Sequence, residues 1–181
     1  PNFSVDDLVV RMLCQPGPGA IFRETVFREL SGWRDHLRQM PDYDFWLRAS
    51  QKFKFKRFAQ SSGGFRVHDD SQSFQSPNFV KSEEPIEIMK DFLANGFHAD
   101  LKGHESQALA QAYILSARLH LRAWRFPDAI KRWLNAVQMS PSCAISLYSF
   151  KLILHGLLDR PRFFSKQLMR RLIQSGRIQK N

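Results

Sequence analysis

A chain of 181 residues and 21.1 kDa with 43% hydrophobic and 13% aromatic residues holds enough apolar material for one or two small folded units, which excludes global disorder. The longest apolar run, 152–158, is broken by His155 and falls well short of the roughly 20 residues that a membrane span requires, so no transmembrane helix is expected. Cys14 and Cys143 are too few for a disulfide scaffold or a four-cysteine zinc site, and a reduced, cytoplasmic setting is the expectation.

The net charge of +10 is not spread evenly. From Lys151 onward eight cations face the single acid Asp159, so the tail carries +7 of the total. Such a tail suits an anionic lipid surface, where each nearby cation contributes about 1 kcal/mol, as readily as it suits phosphates. No nucleic-acid recognition motif accompanies the charge, and nucleic acid is not an expected partner.

In chain order, Ser4-Val-Asp-Asp7 predicts an N-cap and acidic first turn of a short helix running to about Leu13. Cys14-Gln-Pro-Gly-Pro-Gly19 has the proline and glycine density of a loop, and Ala20-Ile-Phe22 reads as a short strand. Val26, Phe27 and Leu30 sit at helical spacing before the Ser31-Gly32 stop, and Pro41 should open another helix with Asp42 and Asp44 complementing its positive end. After the basic stretch 51–57, residues 58–67 read as extended, with 61–64 as a bend. This alternation predicts an α/β sheet. A polar segment, 69–78, precedes a helix from about Ser82 to Ala94 that Asn95-Gly96 closes.

From His104 the pattern is helical throughout. Tyr113, Ala117, His120, Ala129, Trp133, Ala136 and Pro141 fall at the spacing of one tetratricopeptide repeat, which that segment resembles. Residues 142–157 and 161–174 form a weaker second hairpin pattern. Phe163, Phe164, Leu168 and Leu172, interleaved with Lys166, Arg170 and Arg171, read either as a helix closing a bundle or as an amphipathic helix on anionic membrane.

Four landmarks occur in order between residues 15 and 73: Gln15-Pro-Gly-Pro-Gly-Ala-Ile-Phe-Arg23, the segment Phe27 to Trp33, Asp42-Tyr-Asp-Phe-Trp-Leu-Arg48, and Phe65-Arg-Val-His-Asp-Asp-Ser-Gln-Ser73. Together they resemble the C-terminal half of the catalytic domain of family 2 glycosyltransferases with the GT-A fold. The resemblance implies a partial GT-A, Rossmann-like α/β unit over residues 1–80. A connecting helix and linker over 81–103 and a TPR-like all-α region with a basic tail over 104–181 complete the expected organisation.

That resemblance implies roles residue by residue. Asp42 matches the general base of inverting members, and a carboxylate suits the removal of a proton from an acceptor hydroxyl. Gln15, Gly19 and Arg23 match the wall of the donor and acceptor cleft, while Asp44, Trp46 and Arg66 are further substrate-binding candidates. His68 matches a position that ligates a divalent metal, Mn or Mg, in some relatives. Asp42-x-Asp44 has the letters of a metal-binding DxD, but it follows Arg38-Gln-Met-Pro41 and opens a helix instead of closing an apolar strand. Asp44 therefore reads as a cap or brace ahead of a catalytic group, and Trp46 beside Leu47 reads as core ahead of a sugar-stacking ring.

The expected function is a fragment of a glycosyltransferase that moves a sugar from a nucleotide-sugar donor to a glycan or cell-envelope acceptor. Its location would be cytoplasmic or peripheral at the inner membrane face. The family's uridine-binding strand and true DxD have no counterpart here, so the 181 residues alone are expected not to bind a nucleotide sugar. The alternatives are a non-catalytic TPR-like interaction module and a peripheral membrane-binding protein.

Overall fold

The computed structural model describes residues 4–13, 16–17, 19–58, 63–64, 76–96 and 98–158. Proline and acids set the first-turn chemistry of the longest early helix, α3 (Pro41–Lys52), whose Tyr43, Phe45, Trp46, Leu47 and Ala49 are all buried. Around it lie α1 (Val5–Val9), capped by the Ser4 hydroxyl on the Asp7 N–H, and α2 (Glu24–Glu29). Then α4 (Phe79–Ala94) starts at the Asn78 cap, three residues before the sequence pattern placed it, and accommodates Pro85 in its interior. A short 3-10 turn, Ala99–Leu101, leads into α5 (Glu105–Arg122).

The described residues are all-α and contain no strand, which overturns the expected α/β sheet. Ala20-Ile-Phe22 is not a strand: Ile21 is 90% exposed, while Phe22 turns inward onto Phe45 and Trp46. The alternating Lys-Phe stretch 53–58 runs in non-helical backbone, with Phe53 and Phe55 packed on the core and its lysines outward, but it pairs with no neighbouring strand. Period-2 hydrophobicity reports which side chains face inward, and one packed helix satisfies that as well as a sheet does. Most of the extended segment expected at 58–67 lies outside the described residues.

After α5 the chain turns at Ala123 and Trp124 into α6 (Phe126–Met139), which has a proline in its first turn, and α7 (Pro141–Ala144) follows. Residues 147–158 are helical. Ala110, Ala117, Ala129 and Ala136 are buried where α5 and α6 face each other, so the predicted hairpin forms with small residues at its seam. The helix at 147–158 approaches α5 at Gly156, where a Cβ would meet the Arg118 carbonyl at 3.0 Å. One core, rich in aromatic residues, gathers α1 to α4 with Ala108 and Ala112 of α5; a second joins α5, α6 and α7 around Ala110, Ile114 and Ala136.

Candidate functional site

The N-terminus of α3 is assembled from three directions. Pro41 has no N–H to leave unsatisfied, and the Asp42 carboxylate accepts the N–H of Tyr43, one of the orphan donors of the first turn. Just upstream, the buried Glu84 side chain of α4 reaches across to the turn. Its two oxygens accept the backbone N–H groups of Arg38 (2.8 Å), Gln39 (2.6 Å) and Met40 (2.9 Å). From the inner side, the Tyr43 hydroxyl donates to the Leu8 carbonyl at 2.7 Å and ties α1 to α3.

The two acids of the Asp42-Tyr-Asp44 step are separated by this geometry. Asp44 is 2% exposed and receives Arg48 Nε at 2.9 Å, with the Arg34 guanidinium 3.5 Å away. Arg48 also donates to the carbonyls of Leu30 and Gly32, closing the end of α2, and Arg34 continues to Asp91 on α4 at 2.6 Å. Burial disfavours the Arg34 charge, but the hydrogen bond to Asp91 and the charges of Asp44, Asp91 and Glu87 outweigh it and hold its pKa above the ordinary value. Asp44 is thus a brace. Asp42, two residues earlier on the same helix, is exposed.

The remaining predicted positions are dispersed in character. Gly19 is exposed with φ +91°, in a turn where Ala20 N–H donates to the Gly17 carbonyl, as a loop glycine should be. Arg23 is exposed at the N-cap of α2. Trp46 is 7% exposed and stacks edge-on to Phe22, Phe45 and Phe55, so its ring is core and is not offered to a sugar. Gln15, Arg66 and His68 lie outside the described residues. Among the described residues no group of three metal-ligating side chains forms.

A second polar cluster was not foreseen. His120, fully buried on α5, directs Nε2 at the Glu83 carboxylate of α4 at 2.6 Å while Arg125 Nε donates to its Nδ1 at 2.9 Å. A guanidinium only donates, so Nδ1 accepts and the ring proton sits on Nε2. Glu83 also receives Ser116 and Arg132. Burial pushes the Glu83 carboxyl upward, but the hydrogen bonds from His120, Arg132 and Ser116 and the Arg132 charge win and hold it below the usual range. His120 had been read only as an aromatic filler of a repeat. Nothing in the spacing of Glu83 and Glu84 announces that adjacent acids serve two different interfaces.

No known protein family, curated protein or solved structure matches this chain. No helix among the described residues is long and apolar enough to cross a membrane.

Proposed function

We propose that residues 15–73 are the acceptor-side part of a family 2 glycosyltransferase catalytic domain, with Asp42 as the general base. The observation that carries the reading is the position of two acids on one helix turn: Asp44 is buried against Arg48 and Arg34, while the Asp42 carboxylate, which accepts the Tyr43 N–H, lies at the solvent-exposed N-terminal end of the same helix. The described residues contain no sheet, so the fold gives this reading no support. The reading therefore rests on the order of the four sequence landmarks and on Asp42.

In this reaction Asp42 takes the proton of an acceptor hydroxyl as that oxygen bonds to the anomeric carbon of a nucleotide sugar. The bond from that carbon to the diphosphate breaks, and the nucleoside diphosphate leaves with its electron pair. Stereochemistry inverts because attack and departure lie on opposite faces. Glu84, by holding the backbone of Arg38 to Met40, and Arg48, by fixing α2 to α3, set the direction of Asp42 without touching the reacting atoms. Mn or Mg, which the family resemblance implies, has no set of ligands among the described residues, and no step is routed through it. The setting is cytoplasmic on this reading, with a glycan or cell-envelope acceptor.

The first test is the coding sequence immediately upstream of Pro1, where an apolar strand ending in Asp-x-Asp is expected. In the longer protein so defined, Asp42→Asn should lower sugar transfer by about 10²-fold or more, the range of general-base catalysis, with its circular dichroism unchanged. Full transfer by that variant overturns the role of Asp42.

The helical region is read second, as a TPR-like module that braces the first region and is not a free peptide binder. Glu83 bound to His120, and Ala108 and Ala112 inserted into the aromatic core, favour that reading.

A further inference from the structure

Two helices carry an apolar face besides the one they bury on the fold. On the helix at 147–158, Ser149 and Gly156 are buried, while Leu147, Phe150, Leu154 and Leu158 recur at i, i+3, i+7 and i+11 and are all exposed. At about 3.6 residues per turn these four share an arc of about 80° on the side away from Ser149 and Gly156. On α6, Ala129 and Ala136 are buried toward α5, and Phe126, Ile130, Trp133 and Leu134 form an exposed stripe of their own. The two stripes meet across a groove of about 460 Å³ whose walls include Ile130, Trp133, Phe150 and Ile145 of the connecting turn. The result is one continuous apolar surface.

Charge narrows what lies against it. Between Asp128 and Asp159 the sequence has no acid, and its charged residues there are Lys131, Arg132 and Lys151. Arg132 is bound to Glu83, whereas Lys131 and Lys151 are exposed. Lys151 lies about 60° round the helix from the centre of the apolar arc, where its stem covers apolar surface while its ammonium reaches beyond. Over residues 129–181 the sequence holds ten cations and one acid, a net +9 of the chain's +10. A second copy would bring like charge to this face, and an anionic surface is its complement.

We propose that the outer stripes of α6 and of the helix at 147–158 dock on the interfacial layer of an anionic lipid bilayer. Leucines and aromatic rings on one side with lysine at the flank are the pattern of a helix that lies in the membrane plane, and no helix among the described residues is long and apolar enough to cross. The exposure of the stripe points the same way. Ile145 is 72% exposed, Leu147 70% and Phe150 63%, so these side chains project from the fold, and acyl chains fill the space around projecting tips without having to match a contour. Lys131 and Lys151 then stand at the level of the lipid phosphates. The proposal is independent of the sugar-transfer reading.

The test is co-sedimentation of the full chain with vesicles of phosphatidylcholine alone and of phosphatidylcholine mixed with phosphatidylglycerol. The wild type is expected on the mixed vesicles only, with recovery that falls as salt is raised. Leu147→Asp with Phe150→Asp should lower that binding about tenfold or more, because two side chains lose their burial in lipid. Leu154→Asp with Leu158→Asp repeats the measurement should the first variant lose its helical circular dichroism. A fluorophore on Leu154→Cys, in a Cys14→Ser, Cys143→Ala background, separates this face from the basic tail as the point of contact. Blue-shifted emission that spin-labelled lipid quenches is the expected result. Unshifted emission from vesicle-bound protein would assign binding to the tail alone and overturn the proposal. So would equal recovery on both kinds of vesicle, no recovery on either, or equal binding by the wild type and both aspartate variants. A dimer in lipid-free solution that the aspartate pair converts to monomer would assign the face to a second copy and overturn it as well.

Discussion

Around α3 large rings are packed at varied angles and the short segments between helices are held by side chains that reach backbone groups. Between α5 and α6, by contrast, alanines meet alanines and the side chains at the seam do little besides fit. Arg48, Glu84 and Tyr43 each bond to main-chain atoms far away in sequence, and the loops they hold have no regular hydrogen-bond ladder of their own. Inside the hairpin the helices satisfy their own backbone and small residues let them approach, and the polar ties there, Arg125 on the carbonyls of Pro77 and Asn78 and Glu83 on His120 and Arg132, hold the hairpin to α4. Irregular chain is therefore specified by buried polar groups, and regular chain by volume.

This difference is broken most severely at Arg48. Arg48→Met leaves Asp44 buried with only the longer Arg34 contact and frees the carbonyls of Leu30 and Gly32, and a loss of about 3–5 kcal/mol is expected from chemical denaturation. A loss below about 1 kcal/mol would mean that the aromatic rings alone hold the first region. At the seam the opposite error is the informative one. Ala136→Leu adds volume where α6 meets α5 and should cost about 1–3 kcal/mol, while Ala136→Ser should cost less.

The smallest effect sharpens the junction between the two regions. Because Glu83 is held below its ordinary pKa in the folded protein, the stability it supplies is present above about pH 4.5 and is lost as pH falls through the lower folded value. Glu83→Gln should lower the thermal midpoint at pH 7, and the gap between variant and wild type should narrow as the pH drops below about 4.5. A gap that stays constant with pH would remove the ionised carboxylate as its cause.

Helix existence was legible wherever local chemistry and periodicity agree. Ser4 and its acids, Pro41 with Asp42, and the alanine spacing of 105–139 each predicted an element that is present. The sheet was misread because Ala20-Ile-Phe22 and residues 58–67 show strand-like patterning, while a strand needs a neighbour that no local pattern reports. The bracing reading of Asp44 was made from its place in the first turn, and its partner was legible as well, since Asp44 and Arg48 are an i, i+4 pair. Glu84 was not, because its partners are backbone groups 44 to 46 residues away and carry no side-chain signature. The burial of Trp46 was the reading its neighbour Leu47 favoured, and the ring is in the core.

One helix belongs to both regions. Ala108 and Ala112 of α5 enter the aromatic core while Ala110 and Ile114 enter the other, so opposite faces of a single element serve two interiors. Neither interior can come apart without stripping a flank from the other. Melting is therefore expected as a single cooperative event, in which damage dealt to the rings near α3 is felt at the far side of the hairpin.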